Sequence, residues 1–331
     1  MKAVVYLAPN RVAYREEPDP QPAAGEAIVA VEAVGICGSD MHAYHGQDAR
    51  RPPPLILGHE AAGRIVGGPR AGERVAINPL VIDPECPSAR AGLPHLSPTR
   101  QILSIPPRSG AFAEYVRVPE GNLLPIAEAL DIRQAALAEP VAVAWHAVRL
   151  GIERLRRPLA ESRVVVLGAG AVGMPSALLA RHFGAANIRI GEMNALRRHS
   201  AERTTGLKTY APDGNDRPAD NSIDLIIDAV GASQTRADSC RMIRPGGVIV
   251  HIGLLPGSDG LDVRKITLQE ITFSGSYCYT PEDFKNTLVA MASGALGKLD
   301  WFEERPLADA QRAFEDIDRG AVAAAKIILR P

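Results

Sequence analysis

The sequence predicts an α/β protein of two domains, one β-rich and one wound on both faces of a parallel sheet. Three observations lead there. Residues 1–141 are short apolar stretches punctuated by Gly and Pro. Residues 142–278 alternate strand-like and helix-like segments, the pattern of a parallel sheet with crossover helices. Between the first strand and the first helix of that second stretch stands a Gly-x-Gly-x-x-Gly turn.

In chain order, "EAIVAVEAVG" (26–35), "AAGRIVGG" (61–68), "ERVAINP" (73–79) and "AFAEYVRVP" (111–119) read as strands of the first domain. The second domain takes its strands from "RVVVLG", "NIRIG", "DLIIDAVG", "GVIVHIG" and "ITFSGS", with helices expected over 172–183, 195–205 and 234–243. Residues 279–331 then supply a helix and a few strands. Their end, "KIILRP", is apolar enough to rejoin the first domain's sheet. The first domain is thus expected in two pieces, 1–141 and 279–331, interrupted by 142–278.

Composition narrows the function. Hydrophobic residues make up 46% of 331, a globular proportion, and the formal net charge is −1. A near-neutral chain lacks the broad basic footprint that nucleic acid or an acidic membrane requires. The short clusters "RLRRP" (154–158) and "RRHS" (197–200) read as solvated helix faces. Cysteines 37, 86, 240 and 278 are too widely spaced for a disulfide framework. No apolar run reaches the roughly 18 residues of a membrane span, and "MKAVVYLAPN" has no signal-peptide layout. A soluble cytoplasmic protein is expected.

"VVVLGAGAVGMPSALLA" carries the first piece of chemistry. Gly168 makes a tight turn, Gly170 lets a pyrophosphate approach the backbone, and Gly173 lets helix and strand pack closely. Ala171 and Val172 complete the turn, and the helix that follows aims free N–H groups at the diphosphate. Glu192 ends the next strand, where an acid can accept hydrogen bonds from ribose hydroxyls and repel a 2′-phosphate. Arg197 and Arg198 lie close enough to meet such a phosphate, but Glu192 holds the deciding place. NAD is therefore expected over NADP.

"GICGSDMH" (35–42) and "LGHEAAG" (57–63) carry the second piece. Alone, Cys37 would more often be a small buried hydrophobe and His59 a satisfied core histidine. Together with the acids on each side they suggest one thiolate, one imidazole and one carboxylate, the three-ligand set of an open catalytic zinc site. Asp40 is placed to hold the second nitrogen of His59.

These stretches, with "AEPVAVAWHA", "GAGAVG" and "RPGGVIVHIG", resemble the zinc-dependent medium-chain dehydrogenases, in particular the sorbitol/polyol dehydrogenase branch. The resemblance spans essentially the whole chain, in order. It implies a GroES-like catalytic domain interrupted by a Rossmann domain. It also implies that Cys37, His59 and Glu60 are zinc ligands, and that Glu139 binds the zinc water or exchanges with Glu60. Ser39 would lie against the substrate oxygen, and His42 would relay a proton near the nicotinamide ribose. The implied reaction is reversible oxidation of a secondary alcohol to a ketone, zinc lowering the hydroxyl pKa and NAD taking the hydride. A homodimer or homotetramer is implied, paired edge to edge through "GVIVHIG". Two other readings are a zinc-free enone or quinone reductase of the same fold and a non-catalytic dinucleotide-binding scaffold. The zinc set weighs against the first.

Two departures from the family stand out. Polyol dehydrogenases commonly carry an arginine two residues after the "GS" of the last Rossmann strand, where this chain has Cys278 in "GSYCYT". A fork of five donors has become one weak donor, which favours a less polar alcohol or diol. The second concerns a lobe that in zinc-dependent relatives holds a structural zinc on four cysteines. The matching positions here are Asp83, Cys86, Ala89 and Ser97, too few ligands for a closed tetrahedron. The lobe is expected to hold no metal and to rest on its prolines and on apolar anchors such as Leu93 and Leu96.

Overall fold

The computed structural model describes all 331 residues. They form two compact units: residues 1–139, 280–294 and 302–331 in the first, residues 140–279 and 295–301 in the second. The sequence expectation put 295–301 with the first domain. They cluster with the second instead, and Leu296, Leu299 and Trp301 in that stretch are buried.

The first unit is built on a mixed sheet. Its strands run in the order Leu123–Pro125, Arg74–Ile77, Glu60–Val66, Glu26–Gly35, Lys326–Arg330, Phe302–Pro306, and Tyr115–Pro119 also pairs with Glu26–Gly35. Lys326–Arg330 lies antiparallel to Glu26–Gly35, with Ile328 opposite Gly35 and Leu329 opposite Val34. The chain's last strand thus sits beside one of its first. Alternation puts Val29 and Val31 into a core shared with Val75, Ile77, Val116, Phe112 and Phe314, and Val34 joins it beyond the register shift between Val31 and Ala33.

The second unit is a six-stranded sheet, parallel throughout. From edge to edge its strands are Lys208–Tyr210, Asn187–Gly191, Arg163–Leu167, Ile223–Asp228, Ile243–His251 and Thr272–Gly275. In chain order within the unit this reads third, second, first, fourth, fifth, sixth, the doubly wound order that binds dinucleotides where the direction of winding reverses. The reversal falls between Arg163–Leu167 and Ile223–Asp228, beside the glycine turn. Helices Gly173–His182, Ala195–Thr205 and Ser233–Met242 occupy the segments that the sequence marks as helical. Lys208–Tyr210 was not foreseen, being three residues with no alternation to read.

One expectation is corrected. "GVIVHIG" is not an edge strand: Ile243–His251 pairs on both sides, and Val248, Ile249 and Val250 have 0% exposure. An unbroken apolar run marks a strand buried on both faces. The edge is Thr272–Gly275, which is only half-buried.

Candidate active site

Three strands of the first unit converge on one buried corner. Gly35 ends its strand opposite Glu60, the first residue of Glu60–Val66. A Cβ at position 35 would stand 2.2 Å from Glu60 Oε2, so glycine leaves the room that the carboxylate occupies. Cys37 then opens the helix Gly38–Tyr44, and its backbone N–H donates to Asp40 Oδ2 at 3.0 Å. His59 precedes Glu60 and is buried. The ligand atoms of Cys37, His59 and Glu60 all lie within 4.8 Å of one another.

The two imidazole nitrogens have different neighbours. Nδ1 of His59 faces Asp40 Oδ1 at 3.5 Å and Ser104 Oγ at 3.4 Å. Nε2 lies 3.5 Å from Ser39 Oγ and is the nitrogen left to act as a ligand. Burial alone would depress the imidazole's pKa, but the negative charges of Asp40 and Cys37 outweigh it and hold the pKa well above the ordinary value. Asp40, also fully buried, is held below the usual carboxylate range because His59 and Arg51 overcome its desolvation.

Glu60 has a counter-charge that the sequence reading missed. Lys326 Nζ donates to Glu60 Oε1 at 2.7 Å and stands 2.6 Å from Oε2, and it also donates to the Ile36 carbonyl at 2.8 Å. Desolvation pulls the ammonium's pKa down, but Glu60 first, then Cys37 and Glu139, raise it above its ordinary value. Breaking a buried pair of this kind by removing one partner costs about 3–5 kcal/mol. The only sequence signal was a lysine opening an otherwise apolar strand, "KIILRP".

The donor set fits a zinc ion. It combines a thiolate, an imidazole whose other nitrogen is held, and a carboxylate kept ionised by Lys326, with ligand atoms within 4.8 Å of one another. Three protein ligands leave a fourth position for a reacting oxygen. Glu139 lies in the first turn of the helix Ala138–Arg154 and is buried. Ser39 and His42 stand half-buried on one short helix, three residues apart and so on one face.

In the second unit the glycine turn has the geometry that its spacing requires. Gly168 takes φ +94°, and a Cβ on Gly173 would stand 1.9 Å from the Gly168 carbonyl oxygen. Nothing lies within 4 Å of where a Gly170 Cβ would be, which leaves that face open to a ligand. Val172 provides no side-chain cap to the helix Gly173–His182, so its first N–H groups keep their positive field. Glu192, at the end of the next strand, accepts hydrogen bonds from Ala169 N–H (2.9 Å) and Asn194 N–H (2.8 Å). Arg197 Nη2 stands 3.3 Å from Glu192 Oε1. Arg198 is engaged elsewhere, donating to the carbonyls of Glu192 and Met193 at 2.8 and 2.6 Å.

The lobe around residues 83–97 is held by hydrogen bonds. Cys86 caps the short helix Pro87–Arg90, its Sγ accepting from Ala89 N–H at 3.4 Å. Hydrogen bonding from Ser97, then from the Ala89 N–H, holds the Cys86 thiol below its usual pKa. Asp83 Oδ1 accepts from Glu85 N–H at 2.9 Å. The expected apolar anchors are corrected: Leu93 and Leu96 are 47% and 45% exposed, while Cys86, His95 and Ser97 are buried. The lobe turns polar groups inward because its short turns have many N–H groups to satisfy. Metal analysis of purified protein is expected to give about one zinc per chain, following the three-to-four-ligand requirement. A second, tightly held zinc that Cys86→Ala removes would contradict this.

The "Alcohol dehydrogenase GroES-like domain" family model matches residues 23–128, and the "Zinc-binding dehydrogenase" model matches residues 171–293. L-galactonate-5-dehydrogenase of Escherichia coli (strain K12) is 32% identical over 310 residues, covering 89% of this chain and 88% of that protein. Among solved structures, a Sinorhizobium meliloti zinc-binding dehydrogenase bound to NADP aligns with TM-score 0.89 and 28% identity, over 100% of this chain and 99% of that one. An Escherichia coli CFT073 alcohol dehydrogenase complexed with NADH aligns with TM-score 0.88 and 25% identity, with the same coverage.

Proposed function

From the premise that the chain belongs to the zinc-dependent medium-chain dehydrogenase/reductase family, in its polyol dehydrogenase-like branch, we propose that it interconverts a secondary alcohol and its ketone with NAD as the hydride carrier. The substrate class is a polyol, a diol or a related sugar derivative. The observation that carries this reading is the Cys37–His59–Glu60 cluster, its histidine and glutamate buried and its thiol half-buried. That cluster also weighs against a zinc-free enone or quinone reductase and against a dinucleotide-binding scaffold without chemistry.

Cys37, His59 and Glu60 would hold the zinc, with Glu139 as a further acid beside the site that could exchange with Glu60. When bound, the ion is a Lewis acid that lowers the pKa of the substrate hydroxyl, and NAD accepts the hydride. Ser39 Oγ, beside Nε2 of His59, takes the proton, and His42 passes it onward. The dinucleotide is held by Gly168, Gly170, Ala171, Val172 and Gly173, with Glu192 and Arg197 at the adenosine ribose. Glu192 supports NAD over NADP because its carboxylate lies where a 2′-phosphate would need a cation. Cys278, half-buried and at φ +49°, replaces a strong polyol donor and favours substrates with fewer distal hydroxyls.

The protein is further proposed to be a cytoplasmic homodimer or homotetramer. The half-buried edge strand Thr272–Gly275 offers unpaired backbone groups to a second copy. No helix is long and apolar enough to cross a membrane.

NADH formation, followed by absorbance with a panel of sugar acids, sugar alcohols, diols and cyclic alcohols, tests the function. Activity with at least one secondary alcohol, lost to a chelator and restored by zinc, is expected. Reduction of enones or quinones, with no oxidation of any alcohol, would replace this reading with the zinc-free one.

A further inference from the structure

We propose that Arg51 and Ser104 act together as positioning residues for His59, setting the imidazole before any metal arrives. Arg51 is 4% exposed although it carries a full charge. Its Nη1 donates to Asp48 Oδ2 at 2.9 Å and to the Ser39 carbonyl at 3.1 Å, and its Nε donates to the Ser104 carbonyl at 3.0 Å. The hydroxyls of those same two serines flank the same ring: Ser39 Oγ lies 3.5 Å from Nε2 and Ser104 Oγ lies 3.4 Å from Nδ1. One planar guanidinium therefore fixes the backbone on both sides of His59, a task suited to its rigid fork of donors.

Ser104 itself shows why the brace is needed. It is fully buried and held at φ +68°, a left-handed conformation in which glycine is the natural residue. A serine in that place is explained by what its hydroxyl reaches. Asp40, the other neighbour of Nδ1, already accepts from Cys37 N–H through Oδ2 and from Gly58 N–H (3.3 Å) through Oδ1. Ser104 Oγ gives the Nδ1–H a second acceptor from another direction. Two acceptors on Nδ1 define the ring plane where one fixes only a line, and they turn Nε2 toward the corner that Cys37 and Glu60 share.

This proposal rests on reading Cys37, His59 and Glu60 as a zinc site. Its test is zinc release to a chromophoric chelator, with competition measurement of zinc affinity and the thermal midpoint of the metal-free protein. Ser104→Gly removes the hydroxyl while suiting the backbone. It is expected to weaken zinc binding about tenfold, the low end of what outer partners of a ligating histidine contribute, while the metal-free midpoint stays at or above wild type. Arg51→Lys gathers the donors onto one nitrogen, which cannot span the positions that Nε and Nη1 hold, and is expected to speed zinc release as well. A Ser104→Gly protein that binds and releases zinc like wild type overturns the proposal alone. Wild-type protein holding no zinc that Cys37→Ala removes overturns the metal-site reading, and this proposal with it.

Discussion

Cys37→Ala protein is expected to turn over no alcohol at a measurable rate and still to bind NADH. The thiolate is one of three gathered groups that could hold a metal ion, and without it only His59 and Glu60 remain, the latter already ion-paired with Lys326. A Lewis acid at a developing oxyanion contributes several kcal/mol. At about 1.4 kcal/mol per tenfold, its loss lowers kcat on the order of a thousandfold or more. The proposed dinucleotide contacts, Gly168–Gly173 and Glu192, lie in the second compact unit, while Cys37 lies in the first. Fluorescence titration with NADH should therefore give a near wild-type Kd beside absent turnover. His59→Ala is expected to behave in the same way. Near-normal activity in either variant would show that zinc chemistry at this corner is not the mechanism.

Glu192→Ala is expected to erase most of the preference for NAD. The carboxylate is committed three ways in the structure, to Ala169 N–H, Asn194 N–H and Arg197. Removing it takes a charged acceptor from the ribose and releases Arg197 to meet a 2′-phosphate. Hydrogen bonds to charged groups are worth about 1.5–3 kcal/mol, so kcat/KM with NAD should fall on the order of tenfold to a hundredfold. The value with NADP should rise. The ratio of the two kcat/KM values, measured with one alcohol, decides the matter. A wild type already favouring NADP would refute the role given to Glu192.

What could be read from the sequence followed from periodicity and local spacing. The strand–glycine turn–helix around residues 163–182 was legible because all its parts lie within one βα unit. That Cys37, His59 and Glu60 come together was legible through the resemblance of "GICGSDMH" and "LGHEAAG" to a known family. Lys326, Arg51 and Ser104 were not. Lys326 meets Glu60 across 266 residues of chain, and no pattern marks a contact between an early strand and the last one. Ser104 gains its meaning from a left-handed φ that no neighbouring residue signals. The edge strand was misread for a different reason. Apolar character in "GVIVHIG" was taken as a surface to be covered, whereas the sheet had already covered it on both sides. The lobe of residues 83–97 was misread as apolar in its anchoring, because Leu93 and Leu96 face outward while Cys86, His95 and Ser97 are buried.

The place of Lys326 in the final strand has a consequence for how the molecule is made. Ribosomal synthesis proceeds at about 5–20 residues per second, so the first 139 residues wait on the order of ten seconds for residue 326. During that interval the central strand Glu26–Gly35 lacks its neighbour Lys326–Arg330, and Glu60 lacks its ammonium. The nascent first unit therefore cannot seal the corner that holds Glu60. The second unit has all six strands of its parallel sheet between residues 163 and 275, and so has that sheet available earlier. Dinucleotide-binding competence should accordingly precede closure of the metal corner on the growing chain, and the last strand is the step that commits the catalytic half to its final form.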